Sequence, residues 1–173
     1  MDEKKTREFF EALRKIAAQT TEDLILQEDA EGNVTLRAGF TTMVDGGGPC
    51  LFETQLYEAW EGETQVEIIV SPQFEIHADC MEDFEVAITN INLFSPLGYF
   101  GIFYPEDQMY YRYNGFLNVE EEAPLIAEGV YHLFERIAMV VGNVHEALEK
   151  IATGVSTFDE EVEKGVLPSQ EAE

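Results

Sequence analysis

The sequence predicts an α+β fold, a two-layer sandwich in which helices pack on an antiparallel sheet. Three observations carry this. Apolar residues at three- and four-residue spacing mark the start, the middle and the last third of the chain. Short alternating or aromatic-rich runs lie between them. Turn residues separate those runs. The predicted order is helix, four strands, helix, two strands, long helix.

The first helix is predicted from about Asp2 to Ala18. Phe9, Leu13 and Ile16 fall on one face with Phe10 and Ala17 beside them, while Glu8, Glu11, Arg14 and Lys15 take the other. Glu11 and Lys15 have the spacing of a helical ion pair. Thr20-Thr21-Glu22 breaks the pattern. A hairpin follows, with Leu24–Leu26 and Val34–Ala38 joined through Asp29-Ala30-Glu31-Gly32-Asn33. Its acids lack the alternating ligands and distal glutamate of a calcium loop. Asp45-Gly46-Gly47-Gly48-Pro49 precedes a strand, not a helix N-terminus, so it reads as a connecting loop and not as a phosphate cradle.

Leu51–Tyr57 and Val66–Val70 are the next strands. In the second, Val66, Ile68 and Val70 point one way, and Glu67 and Ile69 the other. Trp60, in the connection between them, either caps the core edge or serves as an exposed anchor for a protein partner. The central helix is predicted over about Asp79–Leu93, with Asp79 as N-cap and Glu82 three residues on. Phe84, Ala87, Ile88 and Ile91 form its apolar face. Pro96 and Gly98 end it. Tyr99–Tyr104 and Met109–Tyr113 then form a hairpin around Pro105-Glu106-Asp107.

Pro124 suits the first turn of a long helix reaching about Ala152. Ile126, Val130, Leu133, Ile137, Val140, Val144, Ala147 and Ile151 keep 4-3 spacing, with Phe134, Ala138, Val141 and Leu148 as a second row. Two rows make a wide apolar face. It serves either as a well-buried core face or as a dimer interface, through residues such as Val130, Ile137 and Val144. His132 and His145 lie outside the seam and read as surface or boundary residues. The expected organisation is one domain over residues 1–153 and an acidic C-terminal tail over 154–173, read as a short amphipathic turn followed by a frayed end.

Composition narrows function by exclusion. Thirty-five acids face ten bases, giving a net charge of −25, and five of the ten bases lie in the first fifteen residues. Arg112 is the only base between Ala38 and Glu135. Such a surface repels phosphates, so neither direct nucleic-acid binding nor membrane binding is expected. No apolar run is long enough to span a bilayer, and the charged N-terminus has no signal-peptide core, so the expected location is the cytoplasm. Cys50 and Cys80 read as buried thiols without a disulfide. His77 and Cys80 have metal-like spacing but no second ligand pair, so no metal is expected. No motif for a nucleophile, a cofactor or a carboxylate pair stands out, and the chain is not expected to be an enzyme.

Asn90-Ile91-Asn92, Leu97-Gly98-Tyr99-Phe100, Asp107 and Met109-Tyr110-Tyr111-Arg112 together resemble the YbjN-type family, described as bacterial sensory transduction regulators. The resemblance implies a fold like that of type III secretion chaperones, a helix–sheet sandwich that usually dimerises. From the residues themselves, Asn90 and Asn92 are expected to bond unpaired carbonyls at the helix end and shape the bend into Gly98. Arg112 is expected to pair with a carboxylate such as Glu106 or with one across the sheet. The functional expectation is a non-enzymatic regulatory or chaperone-like module, a homodimer that binds a basic protein partner. The alternative is an acidic DNA mimic that inhibits a nucleic-acid-binding protein.

Overall fold

A computed structural model describes residues 1–21, 23–29, 32–40, 49–58 and 63–169. The fold is α+β. Helix α1 (Glu3–Ala17) is followed by strands β1 (Leu24–Glu28), β2 (Val34–Phe40), β3 (Cys50–Glu58) and β4 (Thr64–Pro72). A 3-10 turn at Ala78–Cys80 leads into α2 (Met81–Phe94), then β5 (Tyr99–Phe103), β6 (Gln108–Phe116), α3 (Ala123–Ala152) and α4 (Phe158–Glu163). Trp60 and Gly46–Gly48 lie outside the described residues.

The six strands form one antiparallel sheet in the order β1-β2-β3-β4-β6-β5. β1 to β4 meander. The chain then leaves through α2 and returns on the far edge as β5, and the β5–β6 hairpin inserts β6 beside β4. One register row crosses the sheet as Leu24, Ala38, Phe52, Val70, Tyr111 and Phe100. All of it faces the helices, and all but the half-buried Leu24 is buried. The next row, Ile25, Arg37, Glu53, Ile69, Arg112 and Tyr99, points to the other side because side chains alternate along a strand.

α1 starts where Asp2 accepts a hydrogen bond from Lys5 N at 2.8 Å. It buries Phe9, Phe10, Leu13 and Ala17, while Ile16 is only half-buried. Glu11 pairs with Arg14 at 2.9 Å, three residues away, and not with Lys15. At 30 residues, α3 is about 45 Å long. Along it Ile126, Val130, Phe134, Ile137, Val141, Leu148 and Ile151 are buried, and α1 and α2 pack against it. The proposed contact residues on this seam are therefore core residues. Val130 and Ile137 are fully covered, and Val144 is half-buried against the core. Both apolar rows are needed because α3 packs on its neighbouring helices as well as on the sheet.

Three further expectations are corrected. Asp79 does not cap α2: it sits in the 3-10 turn, and Cys80 occupies the N-cap without a side-chain bond. His145 is buried, 3% exposed, with its ring edge-on to Phe74 at 5.4 Å. Among the described residues neither ring nitrogen has a hydrogen-bond partner. The segment 154–169 packs on the domain, and its expected amphipathic turn is the helix α4. Gly154 (φ 73°) ends α3, and Val155 N donates back to Lys150 O at 2.8 Å. α4 then opens with a capping box between Thr157 and Glu160. Phe158 N donates to Asp83 Oδ2 at 2.8 Å, and Phe158 and Leu167 are buried in the core. Cys50 and Cys80 form no disulfide, and both are half-buried. Burial pushes the Cys50 thiol up to about 11.

Candidate functional site

One face of the sheet carries α1, α2 and α3; the opposite face of the described strands is open. Its alternate residues include five large exposed side chains, Ile25, Tyr57, Tyr99, Phe103 and Phe116. β-strands put these on the surface because the core demands the odd-numbered residues of β6 and the even-numbered ones of β4. Single exposed apolar residues are ordinary; these five are spread over β1, β3, β5 and β6 of one face.

A polar cluster holds the middle of this face. Glu67 is 4% exposed and ion-paired with Arg112 across β4 and β6. Tyr57 donates its hydroxyl to Glu67 Oε2 at 3.0 Å. Partial burial, then the adjacent carboxylate, raises the Tyr57 pKa. Burial opposes the Arg112 charge, but the Glu67 carboxylate more than restores it, and the guanidinium pKa is raised. Arg37 Nε donates to Glu53 Oε1 at 2.6 Å in the neighbouring row. Both bases of the open face are thus committed to carboxylates. Such a cluster locks side chains and sets register. Arg112 pairs with Glu67 instead of Glu106.

The residues of the Asn90–Arg112 stretch have local tasks. Asn90 Nδ2 donates to Val86 O, four residues back along α2, at 2.9 Å. Asn92 does not bond a helix-end carbonyl. Its amide pairs twice with the Phe100 main chain, on the outer edge of β5. Gly98 N donates to the buried Tyr111 hydroxyl at 2.6 Å, and a Cβ at Gly98 would run into the Arg112 carbonyl oxygen. Asn92, Gly98 and Arg112 therefore build the corner where α2 turns into β5, and only Arg112 reaches the open face.

Near the β5–β6 turn that face has a groove of about 450 Å³, lined by apolar Ile69, Phe103, Met109 and Tyr110 and by polar Glu53, Glu106 and Arg112 among others. Sequence reasoning gave no functional role to Tyr57, Glu67 or Phe103 and named Tyr110 only within the family-like stretch. The two-residue period of β6 held the signal, since it puts Gln108, Tyr110, Arg112, Asn114 and Phe116 together. His77 and Cys80 gain no further ligands: among the described residues no group of three His, Cys, Asp or Glu is placed to hold a metal. No helix among the described residues is long and apolar enough to cross a membrane. Compared with known proteins, the sequence matches no family model and no curated protein.

Proposed function

We propose that this chain is a non-enzymatic regulatory or chaperone-like module that binds another protein on the open face of its sheet. The observation that carries this reading is the asymmetry of the sheet. Helices cover one face, while the other exposes Ile25, Tyr57, Tyr99, Phe103 and Phe116 around two Arg–Glu ion pairs. Aromatic side chains set among locked polar groups give large contact area with little ordering cost. The short resemblance over Asn90–Arg112 agrees with this reading. Steering by the −25 net charge favours a basic partner and works against self-association, since a second copy brings the same charge. The α3 seam does not favour a homodimer, because Val130 and Ile137 belong to the core.

Capture on the immobilised full chain, from a lysate of its own source, tests the proposal. The expected result is one or a few proteins held at low salt, with elution promoted by salt. Capture of nothing above background at low salt would remove the proposal. Light scattering on the free chain is expected to give the mass of one chain at micromolar concentration.

A further inference from the structure

We infer that the groove at the β5 end of the open face takes a lysine or arginine side chain from an extended segment of the protein partner. This rests on the protein-binding reading above and names the anchor that the partner supplies. The groove is lined in part by apolar and aromatic side chains, Ile69, Phe103 and Tyr110, which suit an aliphatic stem. Its surroundings are acidic. Glu106 stands in the exposed turn between β5 and β6. Glu75 lies directly opposite Gln108 in an isolated antiparallel bridge, so its side chain shares the Gln108 side of the sheet. Neither Glu75 nor Glu106 has an ion-pair partner among the described residues.

The cations nearby leave this negative charge uncompensated. Arg112 is committed to Glu67, and Arg37 to Glu53. An incoming ammonium or guanidinium would meet Glu106 in the lining, Glu75 beside Gln108, and the rings of Phe103 and Tyr110. Carboxylate and ring attract the same charge. An anionic group would meet the two free carboxylates and the field of a −25 chain. A second copy would bring that same field, so the occupant is a cationic segment of another protein.

The probe is a fluorescent ten-residue peptide of alternating lysine and valine, titrated with the full chain and read by anisotropy. Three variants are compared with wild type: Phe103→Ser, the double variant Glu75→Gln/Glu106→Gln, and Glu128→Gln/Glu135→Gln on α3. The changed groove residues are exposed, and the two charge-reduced variants have the same net charge. The expected result is binding weakened about fivefold or more by each groove variant and unchanged within about twofold by the α3 variant. Absence of wild-type binding overturns the inference, as does equal weakening by both charge-reduced variants, or groove variants that bind like wild type. If proteins captured by wild type are still held by the groove variants, the groove assignment fails while the protein-binding reading stands. Failure of the wild-type capture itself removes both.

Discussion

The side-chain amide of Asn92 pairs with the main chain of Phe100 in both directions. Phe100 N donates to Asn92 Oδ1 at 2.7 Å, and Asn92 Nδ2 donates to Phe100 O at 2.9 Å. This is what a neighbouring strand would do, and β5 is an edge strand. Asn92 therefore docks α2 on the sheet and fills part of an edge that would otherwise pair with another chain. Asn92→Ala should cost about 1–2 kcal/mol, because two main-chain groups lose their partner in a half-buried setting. It should also bring concentration-dependent association. Urea unfolding and light scattering over a tenfold concentration range check the two effects separately.

Gly98 is required for space. Its φ is not positive, but an added Cβ would strike the Arg112 carbonyl oxygen and the Tyr111 ring. Gly98→Ala should cost about 1–3 kcal/mol, as overpacking does in a filled core. Equilibrium unfolding measures this. A loss below about 0.5 kcal/mol would mean that β5 and β6 shift apart freely at this point.

His145 is held neutral by its surroundings. Burial lowers its pKa, and the Glu149 carboxylate one turn on only partly opposes this. The unfolded chain, with an ordinary imidazole near pH 6.5, binds the proton more readily. This contribution to stability is thus present above about pH 6.5 and is lost as the pH falls towards the lower folded-state value. The difference in stability between wild type and His145→Leu should shift in favour of the variant between pH 7.5 and pH 5.5. Using the difference cancels the change in carboxylate repulsion common to both chains. A constant difference would show that His145 is not desolvated.

The segment after α3 is part of the domain. Phe158 and Leu167 are buried, and the Phe158 amide donates to Asp83 on α2. Phe158→Ala should cost about 3 kcal/mol. Thermal unfolding unchanged by this substitution would restore the view of a detachable tail.

Much of this was readable from local pattern. The alternation of Val66, Ile68 and Val70 gave the inner face of β4, and the 4-3 spacing from Ile126 to Ile151 gave α3. What was hidden depends on pairing over long separations. Nothing near β6 says that it lies between β4 and β5, so the partner of Arg112 could not be chosen between Glu106, close in sequence, and Glu67, close in space. His145 looked like a boundary residue because polarity and not position was read; it lies four residues past the buried Val141. Residues 154–169 looked like a tail because their core contacts, Phe158, Val162 and Leu167, are few in a mostly polar stretch.

The central claim is that partners bind the open face of the sheet and not the helical layer. The most direct measurement compares capture by two double variants of the full chain. Tyr99→Ser/Phe116→Ser alters exposed residues of the sheet face, and Leu125→Ser/Met139→Ser alters exposed residues of α3. The account predicts that the proteins held by wild type are lost from the first and kept by the second. Loss from the α3 variant with full retention by the sheet-face variant would contradict it.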